Sequence, residues 1–249
     1  MVVLKTSREL GIMKEACRIS AGALQTVGKA VEPGVTTAEL DRLAEKYIRS
    51  QGAVPNFKNY HGYPATACIS INNEVIHGIP SAKRVIKAGD IVSVDLGAMF
   101  NGYHGDNAAT FACGDVSLEA KRLMQTTKDA LYEGIKAATA GSRIGDISYA
   151  IQRTVEAAGF SVVRQYVGHG IGTQLHEAPE VPNFGTAGRG IRLLPGMTLA
   201  IEPMVNAGGF DVKVLPDGWT VLTKDGSLSA HFEHTVVITP DGPKIMTLI

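Results

Sequence analysis

The chain repeats itself at a spacing of 107 residues. Gly34 recurs as Gly141, Glu39 as Asp146, Leu40 as Ile147 and Gly52 as Gly159. The offset persists further along, where Lys87-Ala-Gly-Asp-Ile-Val-Ser-Val-Asp95 lies over Leu194-Pro-Gly-Met-Thr-Leu-Ala-Ile-Glu202. Gly89 thus falls on Gly196, and Asp95 on Glu202. No low-complexity or charged linker separates the copies. A duplicated unit without a linker predicts two related halves, about 1–112 and 113–249, fused into one domain spanning 1–249. If the halves pack about a pseudo-two-fold axis, their equivalent acids converge on a central point.

Each half opens with helix signals. Thr6 and Glu9 suit a capping box, after which Leu10, Met13, Cys17, Ala21, Leu24, Val27 and Val31 recur at helical spacing until Pro33-Gly34. Thr36 and Glu39 suit a second box, followed by Leu40, Leu43, Tyr47 and Ile48 before Gly52. In the second half Ser117 opens a helix through Leu123, Ala130 and Leu131 to near Gly141. Another runs from about Gly145 through Ile147, Ala150, Ile151 and Val155 to Gly159. Strands follow the helices. Ile91 to Gly97 is strand-like, and Asn101-Gly102 is a favoured two-residue hairpin turn. A tight turn there sets Gly97 opposite Asp106. Side chains alternate with period two, so Asp95 and Asp106 become diagonal neighbours on one face, about 7–8 Å apart between backbones. Two carboxylates so close repel unless they share a proton or bind a cation; the alternative is a pair of solvated acids on an exposed hairpin. The unbroken apolar strand before Asp95 favours burial and a metal.

Three more candidates lie downstream. His169 sits in Val-Gly-His-Gly-Ile-Gly, where glycines let other groups approach the imidazole. Glu202 ends an apolar strand, Met197 to Ile201, and precedes Pro203. Glu233 lies in a β-branched strand whose hairpin turn is Asp225-Gly226. Asp95, Asp106, His169, Glu202 and Glu233 make a carboxylate-rich set with one imidazole. Such donors suit two divalent ions, Mn, Fe, Co or Zn, bridged by shared carboxylates, and suit a structural zinc site poorly. With 24 Lys+Arg against 24 Asp+Glu, nothing offsets a phosphate backbone, so nucleic-acid binding is not the main task. No apolar run approaches a membrane span, and Met1 to Leu10 lacks a signal-peptide core. Cys17, Cys68 and Cys113 are odd in number and far apart, reading as free thiols in a reducing cytoplasm.

The strings Asn72-Asn-Glu-Val-Ile-His-Gly-Ile-Pro80, Ser93-Val-Asp-Leu-Gly97, His104-Gly-Asp-Asn-Ala-Ala-Thr-Phe111, Gly168-His-Gly-Ile-Gly172, Ile201-Glu-Pro-Met204 and Glu233-His-Thr closely resemble the type I methionine aminopeptidases of peptidase family M24, in that family's order and spacing. The likeness is to the short bacterial form and covers essentially the whole chain. It implies an α+β pita-bread fold: two pseudo-symmetric halves, each with helices backing a curved antiparallel sheet, around a dinuclear metal site. By the same resemblance Asp95 binds one ion, Asp106 and Glu233 bridge both, and His169 and Glu202 bind the other. His77 and His176 match histidines that contact the substrate amide without binding metal. Glu202 is also the implied proton shuttle, and a metal-activated water the nucleophile. Tyr60, Tyr63, Cys68 and Trp219 match the family's methionine pocket, and Phe57 and Leu175 stand where members vary. Asn72 and Ser229 match positions that hold a monovalent cation. The resemblance further implies a cytoplasmic monomer that acts on nascent polypeptide N-termini with a small second residue and visits the ribosome exit.

Two other readings compete. A proline-directed peptidase of the same fold usually carries a large N-terminal domain, whereas the first metal-proximal motif here appears by residue 77. A binding module that has lost catalysis would lack ligands, whereas all five are present. Gly-x-Ser-x-Gly is absent, and His176-Glu-Ala-Pro-Glu180 lacks the second histidine of a zincin. Gly168 to Gly172 has the wrong spacing for a dinucleotide fingerprint.

Overall fold

The computed structural model describes residues 2–248. The first half runs α1 (Ser7–Gly28), α2 (Thr37–Ser50), β1 (Val54–Pro55), β2 (Ala67–Ile71), β3 (Glu74–Ile76), β4 (Ile91–Phe100) and β5 (Tyr103–Ala112). The second runs α3 (Leu118–Ala137), α4 (Ile144–Ala157), β6 (Ser161–Val162), β7 (Gly168–Gly170), β8 (Glu177–Val181), β9 (Thr198–Ile201), β10 (Met204–Asn206), β11 (Val212–Val214), β12 (Val221–Thr223), β13 (Ser229–His231), β14 (Glu233–Thr239) and β15 (Gly242–Ile245).

The helices start where their caps predict. Thr6 and Thr36 both accept from the third backbone N–H of their helices, and Glu9 and Glu39 reach back to the capping residues. In α4 only half of this device exists: Asp146 accepts from the Arg143 N–H at 2.7 Å, but Arg143 has no acceptor to return. α1 ends at Gly28, three residues short of Val31, and that valine is buried beyond the helix.

The repeat is visible in the backbone. Thr36 bridges Val85 in one half, and Arg143 bridges Arg192 in the other, each 107 residues on. The paired glycines share their left-handed conformation, with φ of 95° and 93° at Gly34 and Gly141, and 93° and 92° at Gly89 and Gly196. Each half keeps its own apolar cluster. One lies between α1, α2 and β2/β4, around Leu40, Ile48 and Val94; the other lies between α3, α4 and β9/β14, around Leu123, Ile147 and Leu199. Each such fully buried side chain contributes about 1.5–3 kcal/mol.

One nine-stranded sheet spans both halves in the order β1-β4-β5-β14-β9-β7-β8, with β2 also on β4 and β15 also on β14. All its pairings are antiparallel. The β4–β5 hairpin turns at Asn101-Gly102 with φ of 48° and 81°, and sets Gly97 opposite Asp106 as expected. The halves meet at β5–β14, in register at Glu233↔Ala108 and His234↔Asn107.

The Asp225-Gly226 expectation fails. β12 pairs with β11 and β3, whereas β13 pairs with β10, so the segment passes the chain between two small sheets and closes no hairpin. The Asp225 carboxylate explains this, because it accepts from the Gly209 and Ser227 N–H groups and stabilises a broader loop. The strand leading to Glu233 also breaks at Phe232. Cys17, Cys68 and Cys113 are buried free thiols. Among the described residues no helix is long and apolar enough to cross a membrane.

Candidate metal centre

Five neighbouring strands deliver the five sequence candidates to one cavity. Asp95 comes from β4, Asp106 from β5, Glu233 from the start of β14, Glu202 from just beyond β9 and His169 from β7, and all line a cavity of about 440 Å³. Two threonines lock the central seam. Thr235 Oγ1 accepts from the Asp106 N–H at 3.1 Å and donates to the Asp106 carbonyl at 2.8 Å. Reciprocally, Thr110 Oγ1 accepts from the His231 N–H and donates to the His231 carbonyl, both at 2.9 Å. Each half thereby clamps a backbone of the other.

The electrostatics of this cluster call for a cation. Asp106 and Glu233 are only 3% and 2% exposed. One oxygen each of Asp95, Asp106 and Glu233 is buried without a hydrogen-bond donor. Desolvation pushes the Asp95 carboxyl up to about 7 and that of Glu202 up to about 8; burial and the neighbouring acids push Asp106 and Glu233 well above the usual range. Buried, mutually repelling carboxyls with orphaned oxygens are stable as anions only when a positive ion sits among them. Donor atoms of Asp106, His169 and Glu233 all lie within 4.8 Å of one another. Glu202 Oε1 is 3.5 Å from His169 Nε2. His169 Nδ1 donates to the Gly170 carbonyl at 2.8 Å, which leaves Nε2 with its lone pair toward the acids. Burial lowers this imidazole to about 3, so it is neutral and competent to ligate. The donor set fits divalent cations of the oxygen- and imidazole-binding kind.

The glycines beside His169 act differently from the expectation. A Cβ at Gly168 would lie 2.4 Å from the Ala200 carbonyl, and one at Gly170 would lie 2.4 Å from the Ala178 carbonyl. At both positions it is neighbouring backbone that the missing Cβ admits.

Around the acids lie the other candidates. Phe57, Tyr60, Tyr63, Cys68, His77, His176 and Trp219 all line the cavity. Leu175 does not; it is 2% exposed, packed with Met13, Cys17 and Ile171 behind Phe57 and Tyr60, because its loop turns it inward. Tyr63, Cys68 and Trp219 form one apolar cluster, with the Tyr63 and Trp219 rings 5.1 Å apart. The Tyr63 hydroxyl reaches the Ala67 and Gly78 carbonyls at 3.1 and 3.0 Å, and burial pushes both Tyr63 and Cys68 up, so this wall is uncharged. Tyr60 Oη lies 2.7 Å from His176 Nδ1, and the His176 and His169 rings are 4.2 Å apart. His77 holds a left-handed backbone (φ 60°), and burial lowers its imidazole to about 4. Asn72 and Ser229 stand together, the Ser229 N–H donating to the Asn72 carbonyl at 2.8 Å. The Asn72 amide is already engaged with Asp90 and Ile91, and the Ser229 hydroxyl with Val205 and Asn206.

Three further residues escape the sequence reading. His61 lines the cavity from a left-handed position (φ 49°), and the Tyr166 ring lies 5.8 Å from His77. His231 is 1% exposed, and its Nε2 is buried without a donor or acceptor, 3.5 Å from Glu202 Oε2. Its signal lies in the sequence: read as one strand, the run through Glu233 puts His231 two residues away on the same face, although the structure breaks that run at Phe232.

Residues 11–240 match metallopeptidase family M24. A methionine aminopeptidase of Clostridium acetobutylicum is 54% identical over 248 residues, covering 100% of this chain and 99% of the relative. The crystal structure of a methionine aminopeptidase from Thermotoga maritima superposes with a TM-score of 0.99 at 46% identity, with 100% of each chain covered. A Xaa-Pro dipeptidase of Bacillus anthracis is more distant, at 25% identity and a TM-score of 0.80, with 62% of its chain covered. The curved antiparallel sheet and paired helices are therefore the pita-bread fold, and the chain belongs to metallopeptidase family M24, among the methionine aminopeptidases.

Proposed function

We propose that the protein is a metal-dependent aminopeptidase that removes N-terminal methionine from nascent chains whose second residue is small. The observation that carries this is the conjunction of orphaned, buried carboxylate oxygens with the apolar Tyr63–Cys68–Trp219 wall in one cavity. Asp95, Asp106, His169, Glu202 and Glu233 would hold two divalent ions. When bound, such ions supply hydroxide at neutral pH and polarise the scissile carbonyl.

The chain's own groups do the rest. Tyr60 donates its hydroxyl proton to His176 Nδ1, which makes His176 Nε2–H the donor to the carbonyl oxygen and to the oxyanion that develops there. His77, neutral through burial, accepts from the amide N–H of the second residue. Glu202 carries the proton to the leaving amine, with the His231 imidazole 3.5 Å from its second oxygen. The methionine thioether packs against Tyr60, Tyr63, Cys68 and Trp219, with Phe57 at the edge and Leu175 supporting from behind. Sulfur–ring contacts contribute about 0.3–1.5 kcal/mol each. The monovalent cation at Asn72 and Ser229 would rest on main-chain carbonyls, since the side-chain groups are engaged. By family resemblance the chain works as a single catalytic domain of residues 1–249, a cytoplasmic monomer meeting its substrates at the ribosome.

The test is a chelator-stripped protein retitrated with Mn, Co, Fe or Zn. Methionine release from Met-Ala-Ser should return with metal, while Met-Leu-Ser and Xaa-Pro peptides stay intact. Equal rates on Met-Ala-Ser and Met-Leu-Ser would refute the preference for a small second residue, and preferential cleavage of Xaa-Pro would favour the proline-directed reading.

A further inference from the structure

A buried ion pair ties the N-terminal arm to the loop that carries His176. Lys5 Nζ lies 2.5 Å from Glu177 Oε2, and the two side chains are only 3% and 10% exposed. Lys5 Nζ also donates to the Val3 carbonyl at 3.2 Å, and the Lys5 N–H donates to the Gly196 carbonyl at 2.8 Å. The arm is thus pinned to the second half before α1 begins. Glu177 uses its other oxygen, Oε1, to accept from the Gln174 N–H at 3.2 Å and the Thr173 hydroxyl at 3.4 Å. That closes the turn presenting Leu175 and His176. Burial alone pushes the Glu177 carboxyl up, but the Lys5 ammonium and the loop donors outweigh it and hold the pKa below its usual value.

Tying down an arm needs no buried charge, because buried ion pairs add little net stability and are costly to break. The distinctive feature is the location, one residue from His176. The last glycine of Gly168-His-Gly-Ile-Gly172 has the same explanation: a Cβ at Gly172 would lie 2.5 Å from both Glu177 Oε1 and Lys5 Cε. The motif leaves room for the pair.

We infer that Lys5, acting through Glu177, is a positioning residue for His176, holding the loop so that this imidazole meets the scissile carbonyl. The inference rests on the aminopeptidase reading above. It is tested by Lys5→Met and Glu177→Gln in the metal-loaded full chain, each measured on Met-Ala-Ser in the native and the His176→Ala backgrounds. In the native background kcat should fall roughly 10–100-fold, the scale of a misplacement of about 1 Å, with KM changed by less than about threefold. In the His176→Ala background the same substitutions should change kcat by less than about twofold, because a residue acting through His176 has nothing left to position. Equal losses in both backgrounds, or no loss in the native one, would overturn the inference while leaving the aminopeptidase reading standing. Glu177→Gln preserves the shape of the side chain and decides the matter if Lys5→Met does not fold. Native turnover by His176→Ala itself would remove the role assigned to His176, and the inference with it.

Discussion

Stripping the metal should reverse the way stability depends on pH. Desolvation raises Glu202 from 4.5 to about 8, so between those values the folded chain keeps a proton that the unfolded chain has lost. Folding then binds protons, and stability falls as pH rises across that window. Buried histidines oppose this at lower pH. His77, His169 and His234 are lowered to about 4, 3 and 4 from 6.5, so the folded chain binds fewer protons than the unfolded one up to pH 6.5. Their contribution rises with pH to that point and is constant above it. Above pH 6.5 the carboxyls alone remain: Glu202 throughout and Asp95 up to about 7, while Asp106 and Glu233, raised well above their usual range by burial and neighbouring acids, act in the same direction. One retained proton is equivalent to about 1.4 kcal/mol per pH unit, so Glu202 alone costs about 2 kcal/mol between pH 6.5 and 8. For a chain of this size that is a fall in Tm of roughly 4–8 °C. Metal binding requires the ligands deprotonated, so the loaded protein should hold or gain Tm over the same interval. Calorimetric melts of chelated and Mn-loaded protein at half-unit steps decide it. A chelated protein whose Tm is flat or rising from pH 6.5 to 8 would refute the argument.

Other expectations are simpler. A Cβ at Gly105 would lie 2.5 and 2.6 Å from Cys17 N and Cα of α1, so Gly105→Ala should cost about 1–3 kcal/mol and weaken metal affinity by displacing the adjacent Asp106, read by thermal melting and metal titration. Thr36→Ala removes the oxygen that caps the Glu39 N–H and should lower the urea midpoint by the equivalent of about 1 kcal/mol, with m unchanged. Glu202→Ala and His77→Ala should retain native circular dichroism yet lose most turnover of Met-Ala-Ser; native-like kcat for either would remove its assigned role.

Much of this fold can be read locally. Capping boxes at Thr6 and Thr36 and the Asn101-Gly102 turn are short-range signals, and the turn alone sets Gly97 opposite Asp106. Four of the five candidate ligands sit on strands and Glu202 directly follows one; strand parity relates Asp95 to Asp106, and the repeat offset relates Asp95 to Glu202. What depends on distant partners is not legible. Leu175 looks like a pocket residue until its loop is seen turned inward onto Met13 and Cys17. Asp225-Gly226 has hairpin composition, but Asp225 spends its carboxylate on Gly209. No local pattern joins Lys5 to Glu177, because that pair is created by the arm crossing to the opposite half. His231 is the case where a parity argument was available and only the depth of burial was hidden.

The seam at Thr110 and Thr235 makes each half depend on the other for a complete site. The leading copy supplies Asp95 and Asp106, the trailing copy His169, Glu202 and Glu233, and each copy's threonine steadies the opposite one. Neither half alone carries the five donors, so half a chain could not enclose the cavity by itself. Continuity of the backbone makes the meeting of the two halves unimolecular, at an effective concentration on the order of millimolar.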